Sequence, residues 1–400
     1  MINAVLSFIV GAAFRSVLNL FSVVILSNII GPSETGRWIA YYAVISIFQF
    51  FLEMGQGSII LKKKDYYSEL GGFFIVFNIL AVFVFLVSFG ILSDLRGIDF
   101  WLMQILLLMI GVASISSTCL LSVQLAEEYV LNQTIPLVVL TIGTLVALAF
   151  SVFDKSYLVF VLKFIVECFI NLLVGFYWIF KRGVTFKFNI KKSLRILEIR
   201  DLFLAVSEFL FKMGSQVDKF ILSKVATVEF LGSYGRAQSL TIQGVSIAIS
   251  SINPYIFQKK ESLNSPKNKL ILYSYYISVG VLGSLAFYFI GDFLVTLLFG
   301  AEWLAIIETT KFLCLFPLIR SMENYYFLIC NTILKPQSYV FTIFTNYVLS
   351  FFIAYSVYQD ANNIQNSVLT YCITSTFILS FVTLYGFVRN PLYGFVRNLR

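Results

Sequence analysis

Long apolar runs, separated by short polar stretches, make up most of the chain. A bilayer core of ~30 Å is crossed by ~20 mostly apolar helical residues. Runs of that length lie near 4–30, 38–61, 70–93, 100–124, 135–153, 157–180, 202–226, 231–257, 270–291, 303–330, 338–358 and 366–388. The pattern predicts an all-α membrane protein of about twelve transmembrane helices. The runs at 202–226 and 303–330 are the weakest, because both carry several charged residues. The first run lacks a basic leader and a small-residue cleavage pattern, so it reads as a spanning helix and not a signal peptide.

Composition agrees with the pattern. Hydrophobic residues are 59% and charged residues only 12%, about half the charge of a soluble domain. Too little charge is available to cover a surface facing water, and the apolar excess, including 43 Phe, is placed against lipid.

Charge distribution adds orientation. Lys and Arg stay on the cytoplasmic side of a membrane protein. With the N-terminus inside, eighteen fall in cytoplasmic segments, whereas Arg37, Arg96, Lys155 and Lys224 fall opposite. Both termini are then cytoplasmic and the number of spans is even. The net charge of +8 follows from this topology and anionic lipid, and calls for no nucleic-acid partner.

The segment with Leu26-Ser27, Gly36 and Trp38 has an echo in Leu222-Ser223, Gly232 and Tyr234, at a constant offset of 196 residues. In each case the segment joins two apolar runs. The division this suggests is an N-terminal six-helix bundle at 1–180, a basic cytoplasmic linker at 181–201 and a C-terminal six-helix bundle at 202–400. Parallel repeats of this kind occur in transporters, with substrate bound at the repeat interface. Two similar turns in an unrelated bundle would give the same echo.

A charge within a span costs at least ~2.5–3.5 kcal/mol at mid-bilayer and persists where it pairs or lines a wet cavity. The cations inside the predicted spans are Arg15, Lys163, Lys212, Lys219, Arg236, Lys311 and Arg320. The anions are Glu53, Glu167, Glu208, Asp218, Glu308 and Glu323. Lys163–Glu167 and Glu208–Lys212 are spaced i,i+4, and Glu308–Lys311 and Arg320–Glu323 i,i+3. Each pair can meet on one helix face as a neutralised structural pair. Arg15, Glu53, Asp218, Lys219 and Arg236 lack such a neighbour. They predict a hydrated cavity lined mainly by the first two helices of each half. Arg15, Arg236, Lys212 and Lys219 are candidate ligands for an anionic substrate such as a phosphate ester, and Glu53 and Asp218 are candidates for proton or cation coupling.

Enzyme chemistry finds little support. The chain has no His, the usual general base and zinc ligand. Its five Cys form no CxxC pair and read as free thiols, so no metal and no cofactor is expected. Gly55-Gln56-Gly57 lacks the remainder of a nucleotide-binding fingerprint. Without a phosphate loop, the expected drive is an ion gradient or the substrate's own gradient.

Three segments together carry a family resemblance. They are Asn28-Ile29-Ile30-Gly31-Pro32 through Glu53-Met54-Gly55-Gln56-Gly57; Gln216-Val217-Asp218-Lys219-Phe220 through Gly232-Ser233-Tyr234-Gly235-Arg236; and Leu298-Phe299-Gly300-Ala301-Glu302-Trp303 with Leu334-Lys335-Pro336. In order and spacing they resemble the Wzx-type O-antigen and polysaccharide repeat-unit flippases of the multidrug/oligosaccharidyl-lipid/polysaccharide exporter superfamily. That resemblance implies translocation of an undecaprenyl-pyrophosphate-linked glycan across the bacterial cytoplasmic membrane. It also implies a glycan polymerase and a chain-length regulator as partners. A drug exporter of the same superfamily and, with less support, a membrane enzyme acting on lipid-linked glycans are the alternatives.

Overall fold

The computed structural model describes residues 2–92, 98–125, 129–214, 216–250, 266–300, 303, 313–332, 336–361, 368 and 370–382. Their regular secondary structure is entirely helical. The chain divides into two compact units, Met1–Gly232 and Ser233–Arg400.

The first unit begins with α1 (Ile2–Ile30) and α2 (Pro32–Leu52). Gly31 alone joins them, at φ +86°, a conformation that suits glycine. Pro32 then occupies a first-turn position, where a missing N–H costs no helical bond. The short α3 (Gln56–Lys62) completes the predicted run at 38–61. There follow α4 (Tyr67–Leu92), α5 (Ile98–Leu125), α6 (Tyr129–Ser151) and α7 (Leu158–Lys181). Outward-facing side chains are large and apolar, such as Phe83, Leu145 and Phe176, as lipid requires. Inside, α5 packs against α4 and α7, and α6 against α1 and α7.

The basic linker is ordered and belongs to this unit. It contains α8 (Ile190–Ile196) and leads into α9 (Ile199–Met213) and α10 (Val217–Val225). Asp201, 1% exposed, receives Lys62 at 3.0 Å and Lys63 at 2.5 Å. Glu69 receives Lys192 at 2.7 Å, and Ser193 Oγ donates to the Glu69 carbonyl at 3.0 Å. These contacts hold α8 and α9 on α3 and α4, and α10 packs on α2. The first unit, with the expected linker at 181–201 inside it, runs on to Gly232. Burial opposes ionisation of Asp201, but hydrogen bonds from Lys63, the Glu198 N–H and Lys62 outweigh it and lower its carboxyl below the usual range. A carboxyl depressed on folding contributes stability above its unfolded pKa, and that contribution is lost as pH falls through the folded value. Melting temperature in detergent is therefore expected to drop on acidification below about pH 4, and Asp201→Asn to flatten that drop. Identical acid profiles for the two proteins would exclude the linkage.

Among the described residues, two of the predicted spans are broken. α2 stops at Leu52, and Gly55 adopts φ +68° before α3 begins. A Cβ on Gly55 would lie 2.7 Å from both Cα and Cβ of Ala205. The break leaves backbone carbonyls without helical partners in a region where no water replaces them. Gln56 fills one vacancy by donating back to the Leu52 carbonyl. Its side chain also donates to Asn78 at 3.0 Å and accepts from Thr118 at 2.7 Å, all in full burial. The run at 202–226 is broken likewise, between α9 and α10. Gly55→Ala combines a left-handed backbone with a clash against α9. It is expected to cost about 2–3 kcal/mol, read as a lower melting temperature; an unchanged melt would mean that the break relaxes freely.

The second unit contains most of α11 (Val228–Ser250), then α12 (Pro266–Phe299), α13 (Phe316–Thr332), α14 (Pro336–Ala361) and α15 (Thr370–Val382). Its core joins Val245 and Ile249 to Leu272 and Tyr276, and to Tyr325, Leu328 and Ile329. Gly280 lets α12 approach α13, because a Cβ there would sit 2.9 Å from the Leu318 Cα. Ser375 Oγ donates to Ser350 Oγ at 3.0 Å, tying α15 to α14. The predicted pair Glu308–Lys311 lies outside the described residues.

Candidate functional site

The two broken spans bring charge together inside the first unit. Glu53 sits at the C-terminal end of α2, and Lys212 in the last turn of α9. Their Nζ–Oε2 distance is 2.8 Å. A helix C-terminus carries partial negative charge, so it attracts Lys212 and would repel Glu53; the ammonium offsets the latter. Gln49, one turn before Glu53, donates to its Oε1 at 2.8 Å. Glu208, one turn before Lys212, accepts from Ser58 on α3. The i,i+4 spacing had suggested Glu208 as the partner of Lys212 and left Glu53 alone. The ion pair with Glu53 joins α9 to α2 as well, because the break places the two helix ends side by side.

This cluster sets two carboxylates, Glu53 and Glu208, around one ammonium. It remains partly accessible, with side-chain exposures of 35% for Lys212 and 17% for Glu53. Chemically, the arrangement can exchange a proton or cation, or present Lys212 to an anion.

A second pair lies on α7, where Lys163 and Glu167 meet at 2.8 Å as their spacing predicts. Gly143 on α6 provides the space, since a Cβ there would lie 2.6 Å from the Glu167 Cγ. At one end of the unit, Asp99 accepts from Tyr41 at 2.7 Å and Tyr157 at 3.4 Å, and the two rings stack at 5.5 Å.

The remaining predicted residues lie on other elements. Arg15 is half-buried on α1. Asp218 and Lys219 occupy the first turn of α10, where the Lys219 N–H donates to the Asp218 carboxylate at 2.8 Å. Lys219 Nζ also reaches Gln216 at 3.4 Å. Arg236 is buried on α11, in the second unit. That unit also holds the predicted pair Arg320–Glu323 at 2.5 Å, with Tyr347 donating to Glu323 at 3.2 Å. Sequence reasoning missed the Gln56–Asn78–Thr118 network. Its signal was present as isolated polar residues in apolar runs beside Gly55.

The sequence matches the model of a family described as polysaccharide biosynthesis protein over residues 25–308. No curated protein matches by sequence. The fold is similar to that of the Vibrio cholerae MATE transporter VcmN in a mutant form, with a TM-score of 0.68, 13% identity, and coverage of 97% of this chain and 98% of that one. It is also similar to an inward-facing multidrug resistance MATE family transporter of the MOP superfamily, with a TM-score of 0.65, 12% identity and 94% coverage of each chain. The bent form of VcmN gives 0.62 at 14% identity, covering 97% and 98%. These likenesses confirm an all-α, multi-pass membrane protein with about twelve spanning helices.

Proposed function

The chain belongs to the polysaccharide biosynthesis protein family, and from that membership we propose that it is a flippase for a lipid-linked oligosaccharide. Its cargo is an undecaprenyl-pyrophosphate-linked repeat unit of a surface polysaccharide, such as O-antigen. The protein sits in the bacterial cytoplasmic membrane with both termini inside, and moves its cargo outward by alternating access.

The observation that carries this reading is the partly accessible Lys212–Glu53 pair, held within the spans by two helix breaks in a member of this family. Lys212, with Arg15 and Lys219, supplies cationic ligands for a pyrophosphate, and Arg236 on α11 is a candidate ligand considered by itself. Glu53 and Asp218 supply the carboxylates for coupling to an ion gradient. The glycan polymerase and chain-length regulator act on the delivered unit.

Depleting the protein is expected to accumulate lipid-linked repeat units on the cytoplasmic leaflet and to abolish surface polymer. Normal surface polymer without accumulation would overturn the proposal. Arg236→Ala is expected to reduce translocation while leaving membrane insertion intact, and Asp218→Asn to alter dependence on the ion gradient; unchanged transport in each case removes that residue from the site.

The two carboxylates at Lys212 also favour a second reading, a multidrug exporter, since anionic sites suit cationic drugs. Resistance to cationic dyes on expression, without any polysaccharide defect on depletion, would select it.

A further inference from the structure

The linker between α7 and α9 offers a surface that the transport reading leaves unused. Around α8, Ile190 and Leu194 form one exposed stripe, at 47% and 55% exposure. Lys191 and Arg195 form the adjoining exposed stripe. Both stripes follow the i,i+4 geometry of a helix face. The opposite face is closed: Ser193 is fully buried against Glu69, and Ile196 packs on the core of α3, α4 and α9. Continuing the same surface, Phe188, Ile199 and Leu202 are exposed at 63%, 77% and 59%, alongside exposed Lys187 and Arg200.

This combination differs from a merely solvated charged loop. Four cations alternate with five large apolar side chains, and the segment is fixed to the bundle at both ends. Lys187 N–H donates to the Ser68 carbonyl at 3.0 Å, and Lys63 anchors the chain at Ile196 and Asp201. Of the three nearby acids, Glu69 pairs with Lys192 at 2.7 Å and lies 3.7 Å from Lys187, Asp201 is buried in those contacts, and Glu198 lies 3.2 Å from Lys63. A surface in water would not stabilise exposed Phe188 and Ile199. At a bilayer boundary, the apolar side chains enter the acyl region and the cations meet headgroup phosphates.

We propose that residues 187–202 form an interfacial binding surface for anionic phospholipid, with Lys187, Lys191, Arg195 and Arg200 as headgroup ligands and Phe188, Ile190, Leu194, Ile199 and Leu202 as its acyl contacts. The occupant follows from charge complementarity with an anionic leaflet and from the continuity of this surface with the end of the spanning bundle. It rests on the cytoplasmic orientation given above, but not on the identity of the cargo.

The test compares melting of the full chain in nanodiscs of phosphatidylcholine alone and of phosphatidylcholine mixed with phosphatidylglycerol. Wild type is expected to melt several degrees higher in the anionic discs, and high salt to erase the difference. A triple variant, Lys191→Gln, Arg195→Gln and Arg200→Gln, is expected to fold in both discs and to lose most of the shift. No shift for wild type, or an undiminished shift for the variant, overturns the proposal. Inorganic pyrophosphate added to neutral discs supplies a further arm: a rise as large as that from phosphatidylglycerol in wild type, lost in the triple variant, would identify a free-phosphate site on the linker and overturn the lipid assignment. A lost lipid shift with normal polysaccharide export would leave the flippase reading standing, whereas a retained shift with no export defect on depletion would overturn only the flippase reading.

Discussion

Gly232→Ala is expected to destabilise the first unit by about 2–3 kcal/mol, a fall in melting temperature on the order of 5–10 °C. A Cβ on Gly232 would run into the carbonyl oxygen of Pro32. A Cβ on Gly36 would run into the carbonyl oxygen of Val228, and each would lie 3.0 Å from the backbone N of the other glycine. The two collisions are related by the sequence echo: the offset that carries Gly36 to Gly232 also carries Pro32 to Val228. The start of α2 and the start of α11 thus cross backbone to backbone, reciprocally. Small residues permit such approach between helices in lipid, where packing and hydrogen bonding drive association. Gly36→Ala should have an effect of similar size. The double variant should fall short of the sum, because one displacement relieves both clashes. Gly57→Ala is the control, since its Cβ would meet nothing closer than 3.9 Å. If all three single variants melt together, the crossing is not tight.

Lys212→Met should cost about 2 kcal/mol and abolish transport. Removing one partner of a fully buried ion pair costs ~3–5 kcal/mol, because the other charge stays without compensation. Lys212 retains about a third of its side-chain exposure, so the pair is less than fully buried and the loss is smaller. Glu53→Gln alone should cost less, since the amide can still accept from Lys212. Combining Lys212→Met with Glu53→Gln should recover most of the stability but not the transport. This separates the structural role of the pair from its functional one. Melting of the purified variants reads the first, and surface polymer in complemented cells reads the second. Full transport by Lys212→Met would remove Lys212 from the substrate path.

These predictions depend on features that the chain revealed to different degrees. Gly36 and Gly232 were visible as a repeated motif, but their mutual contact was not, since no offset in sequence states which turns touch. Lys163–Glu167 and Arg320–Glu323 followed from helical spacing, because a helix fixes which residues share a face. Lys212 showed the limit of that rule. Spacing favoured Glu208 on its own helix, whereas a break in another span delivered Glu53 to it.

The sequence by itself determined the membrane, the number of spans and the scarcity of intramembrane charge, because hydropathy acts on every residue locally and needs no partner. It also contained the family motifs. The tertiary structure decided where spans break, which charges meet and how the basic linker is held. Those outcomes depend on Gly55 turning against Ala205, Gln56 replacing a lost backbone bond and Asp201 gathering Lys62 and Lys63. Each is a contact between distant segments, settled by the need to satisfy polar groups where water is absent.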